Sequence, residues 1–197
     1  MRFTRLVFPT LITVSFLAIA AAGCSDPPPP VPEGAWTINF QPLDEDFTKC
    51  AIQQHVTGIG TISDKKQTKL VADATSSATV SCSVTGDSKF SVSADTSQMG
   101  TSIHISVDNL VESATADAPV PGTLSYLSAT TGSPYISNKD NPCQFYFIPG
   151  SGEAVAPGSV WLAFKCPELI GNGGMSTCQI TEGYASFKNC TGLSTSM

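Results

Sequence analysis

Two histidines and a scatter of carboxylates, hydroxyls and rings are what this 197-residue chain offers for chemistry. His55 stands in Gln53-Gln54-His55-Val56, ahead of Thr57-Gly58-Ile59-Gly60, with no histidine, cysteine or carboxylate at metal-ligand spacing. His104 sits between Ile103 and Ile105, which puts it on the polar face of an alternating segment, open to solvent. Spacing alone does not dismiss a Ser-His-Asp arrangement in so serine-rich a chain, but no G-x-S-x-G elbow occurs. Ser63-Asp64-Lys65-Lys66 satisfies the S-x-x-K pattern of penicillin-recognising enzymes only formally. It falls in a polar turn rather than opening a buried helix, and neither K-T-G nor S-D-N accompanies it. The expectation is a protein that is not an enzyme, with a hydrolase built on His55 or His104 as the lesser alternative.

Asp44-Glu45-Asp46 and Asn138-Lys139-Asp140-Asn141 present oxygens, yet neither has the spacing or the glycine of a dedicated Ca²⁺ loop. Gly58-Ile59-Gly60 and Gly171-Asn172-Gly173-Gly174 are not followed by a predicted helix, so they do not read as phosphate cradles. No metal and no cofactor is implied. The rings are a further candidate: Tyr126, Tyr135, Tyr146, Trp161 and Tyr184 include flat surfaces on which a sugar can stack. Tyr146 and Trp161 fall opposite the apolar positions Phe145/Phe147 and Leu162/Phe164, which aims them outward. They serve either as a ligand platform or as packing beneath a covering loop.

Cysteine use is more definite. Of seven cysteines, Cys24 stands alone near the start, leaving Cys50, Cys82, Cys143, Cys166, Cys178 and Cys190. There is no C-x-x-C, and the closest pairs are separated by eleven residues, which favours three disulfides over zinc. Alternation aligns Cys82 with Val80 and Val84, Cys143 with Phe145, and Cys166 with Leu162 and Phe164, so these sulfurs belong to the core. Six cysteines allow fifteen pairings. The pairing expected here is Cys50–Cys82, Cys166–Cys178 across the glycine-rich loop, and Cys143–Cys190.

The elements that must position these groups are strands. Trp36-Ile38-Phe40, Ala78-Val80-Cys82-Val84, Phe90-Val92-Ala94 and Ile103-Ile105-Val107 each alternate with polar, mostly hydroxylated residues, the mark of half-buried antiparallel strands. Further strands are expected over 52–62, 69–73, 123–128, 144–148, 160–166 and 183–189. Turn signals separate them, among them Thr85-Gly86-Asp87-Ser88, Met99-Gly100, Pro119-Val120-Pro121-Gly122 and Gly171-Asn172-Gly173-Gly174. About ten short strands with regular turns predict an all-β, antiparallel, jelly-roll-like sandwich over residues 35–197. No helical periodicity follows Cys24.

The beginning of the chain is of another kind. Met1-Arg2-Phe3-Thr4-Arg5 is basic, and residues 6–22 are nearly all apolar, running into Ala20-Ala21-Ala22-Gly23-Cys24. This resembles the signal peptide and lipobox of bacterial lipoproteins cleaved by signal peptidase II. The resemblance implies a signal helix over 1–23, acylation of Cys24 as the new N-terminus and attachment to a membrane through lipid. Ser25, where an inner-membrane retention signal carries Asp, implies the outer membrane, facing the periplasm or the cell surface. The closing pattern Phe164-Lys165-Cys166-Pro167, Cys178 and Phe187-Lys188-Asn189-Cys190 is similar to secreted lipoproteins of myxobacterial type, which imply no activity. Residues 24–34 carry Pro27 to Pro30 and Pro32, and read as a stiff tether reaching about 30 Å at about 3.1 Å per residue. Both arginines lie in the leader, so the rest holds eight lysines against sixteen carboxylates, a net charge of −8. An acidic, arginine-free domain is a poor partner for nucleic acid or for an anionic membrane face. The expected protein is a lipid-anchored envelope component, structural or adhesive, meeting a glycan or another envelope protein. The alternative is a carbohydrate or small-ligand binding module.

Overall fold

Alternating apolar residues need a surface to bury against, and here they find it in one another across two faces of a long folded-over sheet. The structure, a computed structural model, describes residues 28–43, 49–50, 52–63 and 68–192. The signal segment and Cys24, Asp44-Glu45-Asp46, and Asp64-Lys65-Lys66 lie outside the described residues. The strands are β1 (Glu33–Pro42), β2 (His55–Ile59), β3 (Val71–Ala72), β4 (Ala78–Gly86), β5 (Phe90–Gln98) and β6 (Thr101–Leu110). They continue as β7 (Val120–Leu127), β8 (Tyr135–Ser137), β9 (Cys143–Tyr146), β10 (Ala154–Ala156), β11 (Ser159–Gly171) and β12 (Ser176–Lys188). One 3-10 turn at Asn172–Gly174 joins the last two strands, where the glycine run predicted a turn.

The hydrogen-bonded order is β2-β1-β12-β11-β8-β7-β6-β5-β4, every pairing antiparallel. β9 pairs with both β11 and β7, so it carries the sheet from one layer to the other. The layers β2-β1-β12-β11 and β7-β6-β5-β4 then face each other as an antiparallel sandwich. The clearest alternation is in β5, where Phe90, Val92, Ala94 and Thr96 point inward and the residues between them outward. Trp36 and Phe40 of β1 meet Tyr126 of β7 across the core, at ring separations of 5.9 and 5.3 Å. Sequential neighbours are neighbours in space nearly throughout; the pairing of β1 with β12 is the long-range exception.

Three disulfides are present, but none of the expected pairings is formed. The bonds are Cys50–Cys178, Cys82–Cys190 and Cys143–Cys166. Each follows from strand neighbours invisible to local pattern. The β9–β11 register sets Gln144 against Lys165, so the next position brings Cys143 opposite Cys166. The chain at Lys49 returns alongside the start of β12, where the Lys49 carbonyl accepts from the Thr177 amide, and this delivers Cys50 to Cys178. Beyond β12 the chain crosses to the outer edge of β4: Thr191 donates to the Cys82 carbonyl and accepts from the Val84 amide. That crossing sets Cys190 on Cys82, and with Gly158, which donates to the Val84 carbonyl, it covers an edge that would otherwise invite pairing.

Two prolines also sit inside strands. The expected turn at Pro119–Gly122 is the start of β7, which pairs there with β9. Pro121 is tolerated because the β6–β7 ladder ends at Val107 and Gly122, so no partner on that side needs its missing N–H. Pro167 lies within β11, where the register against β12 shifts between Cys166 and Leu169. Strands expected over 160–166 and 183–189 therefore run on, through that irregularity, into a hairpin of 13-residue arms.

Candidate functional site

On the outer face of β4 to β7 the register aligns side chains in rows. One row is Ser83, Ser93, Ser106 and Thr123; the next is Ser81, Asp95, His104 and Ser125. In the second, His104 Nδ1 lies 2.7 Å from Asp95 Oδ1. Ser125 flanks His104 on the other side, which is the order of a charge-relay triad. The arrangement stops short of one. Ser125 and His104 share no hydrogen bond, and the pair is exposed, at 44% and 54% of the two side chains. β6 is bonded to β5 on one side and β7 on the other, so its ladder leaves no backbone N–H to receive a developing oxyanion. The solvated position expected for His104 is observed.

His55, by contrast, is not a free surface side chain. It opens β2, packs on Phe40 at 5.4 Å, and places Nε2 3.1 Å from the Tyr126 hydroxyl and Nδ1 2.9 Å from the Gln53 carbonyl. Tyr126 is fully buried and also hydrogen-bonds Thr57 and Ser128. The imidazole thus supplies a partner to a hydroxyl that burial would otherwise leave costly. Asn138 and Asp140 form an Asx turn, with the Asp140 amide donating to Asn138 Oδ1 at 3.0 Å. Among the described residues no group of three or more His, Cys, Asp or Glu could hold a metal ion.

Of the five rings considered as a platform, Tyr126 and Tyr135 are core residues, 0% and 2% exposed. Tyr135 is fixed further by a 2.7 Å bond to the Ser176 hydroxyl. The other three share the outer face of β9, β11 and β12. Ala163 of β11 is paired with Tyr184 of β12 on one side and Tyr146 of β9 on the other, and Trp161 lies two residues away on the same face. Ile62 and Leu70, from the segment after β2, and Ile148, after β9, pack onto this group and cover much of it. Tyr184 is buried and bonds the Glu182 carboxylate at 2.5 Å, while Tyr146 and Trp161 stay half-buried. The outward direction read from alternation holds, and loop covering accounts for the rest. Trp161 also lines a cleft of about 470 Å³ with Thr68, Ser159, Ser186 and Lys188; Tyr146 does not.

Burial raises the Tyr126 hydroxyl above its ordinary pKa of 10.0. Burial, reinforced by the Glu153 and Glu182 carboxylates, does the same for Tyr146. A raised phenol favours the neutral form in the folded state. The stability it lends is therefore complete below the unfolded pKa near 10 and is lost as pH climbs through the folded value. An absorbance titration at alkaline pH should show Tyr126 and Tyr146 ionising late and together with unfolding. Four tyrosines titrating as one normal class before any loss of β signal would contradict this.

Three disulfides mark the domain as extracytoplasmic. No helix among the described residues is long and apolar enough to cross a membrane. Compared with protein-family models, curated proteins and solved structures, the chain finds no match in any of the three.

Proposed function

We propose that this is a lipid-anchored envelope protein, acylated at Cys24 and exported to the outer membrane, whose disulfide-linked sandwich serves a structural or adhesive role without catalysis. The observation that favours it is how the chain enters the fold. The proline segment passes directly into β1, an interior strand bonded to β12 on one side and to β2 and β3 on the other. The entry is pinned: Asn189 Nδ2 donates to the Val31 carbonyl at 2.9 Å, and the Asp73 amide donates to the Pro32 carbonyl at 2.9 Å. Cys190, the next residue after Asn189, ties the same end of the molecule to β4. A pull through the tether acts along β1 and so on the hydrogen bonds of both flanking ladders together, which suits a domain held at one end in a moving medium.

The test is detergent partition. The full chain made in a bacterial host should enter the detergent-rich phase of a cloud-point separation and incorporate labelled fatty acid. Cys24→Ser should move it to the aqueous phase and abolish the label. Retention of Cys24→Ser with the membrane would overturn acyl anchoring. A second reading, recognition of a carbohydrate or other small ligand, is favoured by the half-exposed ring of Trp161 in its cleft.

A further inference from the structure

The cleft beside Trp161 is built from two neighbouring rows of the outer sheet face. In one row Trp161 of β11 stands between Ser186 of β12 and Ala154 of β10. Its flanking residues are therefore small on both sides, and part of the indole stays open to the cleft. In the other, Lys188 follows Ser186 on the same face, with Ser159 close by. Thr68 and Gly152 stand at the sides. Lys188 is the one charged residue lining the cleft. Its ladder partner is Glu33, yet Lys188 forms no ion pair with Glu33 or with any other described residue. In a domain carrying twice as many carboxylates as lysines, an unpaired ammonium beside an open ring and three hydroxyls is a selective combination.

Other concave sites lack it. The cleft at Lys69 also contains Glu33, and the one at Phe147 is lined by two carboxylates, Glu112 and Glu153. The cleft at Lys49 holds Tyr135, whose ring is buried in the core. The Trp161 cleft has the volume of a small-ligand site, in which a few polar groups orient a body held by apolar contact. A pyranose presents an apolar face to an indole and hydroxyls at its rim; a carboxylate on that ring meets the ammonium in a charge-assisted hydrogen bond.

We propose that this cleft binds a carboxylated sugar, a uronic acid free or within an acidic polysaccharide, with its ring on Trp161 and its carboxylate on Lys188. The proposal deepens the adhesive reading by naming what is gripped, and its failure is separable from that of the anchor. Cys24→Ser releases the protein from membrane and leaves sugar binding intact, whereas substitutions in the cleft do the reverse.

Tryptophan emission supplies the readout, because Trp36 is fully buried and Trp161 is the other of only two tryptophans. The full chain in detergent micelles is titrated with trigalacturonate, with its methyl-esterified form and with glucuronate. The acidic trimer should shield Trp161 from acrylamide quenching, with the ester binding about fivefold more weakly. Lys188→Gln should erase that preference and Lys188→Arg restore it; raised salt should weaken the acid and spare the ester. By calorimetry Trp161→Ala should lose at least about tenfold, and Trp161→Phe, which keeps a ring and guards against misfolding, should retain part of the affinity. Glucuronate binding as well as the trimer assigns the site to a single residue, and trimer binding alone assigns it to a polymer. Equal affinity for acid and ester, no binding by either, or full affinity in Trp161→Ala would overturn the proposal.

Discussion

Replacing Cys50 and Cys178 together by alanine should lower the unfolding free energy by about 4 kcal/mol. The bridge spans a sequence separation of 128, and a loop of that size, closed alone, is worth about 5 kcal/mol in the entropy of the unfolded chain. It is not closed alone. With Cys82–Cys190 intact, Cys50 reaches Cys178 in the unfolded chain by a shorter path of roughly 44 residues, through Cys82 and back from Cys190, which reduces the value to about 4 kcal/mol. The two long bridges therefore overlap. Removing either should shift a urea midpoint by about 2 M at a slope near 2 kcal/mol per molar. Removing both should cost about 9 kcal/mol, more than twice the single loss and comparable to the whole stability of an ordinary domain, so the double variant should not fold. A shift under about 1 kcal/mol in the single-bridge variant would mean that the β1–β12 ladder holds Cys50 and Cys178 together even in the denatured ensemble.

The overlap also explains why the connectivity was beyond local reading. That Cys143 and Cys166 are buried is legible from their alternation with Phe145 and Phe164, because a period of two fixes a face without reference to any other strand. Which cysteine faces which depends on strand order, and that order turns on β1 lying beside β12, a contact between the two ends of the domain. Nothing near Trp36 or Tyr184 announces it. The same limit applies to β12, where Gly183, Tyr184, Ala185, Ser186 and Phe187 are all buried. Alternation predicts one wet face; the covering by Ile62 and Leu70 comes from a distant segment. Proline misleads for a related reason. Pro121 and Pro167 mark turns when only the chain is seen, yet both occupy positions where the ladder is already interrupted.

Of the candidate site, the outward aim of Tyr146 and Trp161 and the polar setting of His104 were legible, since each needs only strand phase. The bond from His55 to Tyr126 was not, because it joins β2 to β7 across the sandwich. Nor was the cleft. It needs Ala154 and Ser186 as neighbours of Trp161, and these are contributed by β10, too short to be read from alternation, and by β12. A searchable signal was nevertheless present: small residues at outward positions of strands flanking an outward tryptophan leave the ring uncovered once the pairing is known.

Trp36→Ala should cost about 3–5 kcal/mol, the usual range for emptying a large aromatic site in a closed core. Trp36 is 0% exposed and meets the Tyr126 ring edge-on, with an interplanar angle of 79°, in the seam between the two layers. Truncation removes area from both layers at once, and the ladders on either side of β1 resist collapse into the void. Trp36→Phe should behave quite differently. The indole Nε1 is buried with no hydrogen-bond partner, a defect that costs about 1–3 kcal/mol in the native protein. Phenylalanine removes the orphaned donor along with part of the packing, and the two effects oppose each other, so the variant should lie within about 1.5 kcal/mol of the parent. Urea unfolding followed by circular dichroism measures both substitutions on one scale. If Trp36→Phe lost as much as Trp36→Ala, the indole N–H would have to be satisfied by a buried water, with Thr96 Oγ1, the other unpartnered core polar atom of this inner face, as the group to examine for the same water.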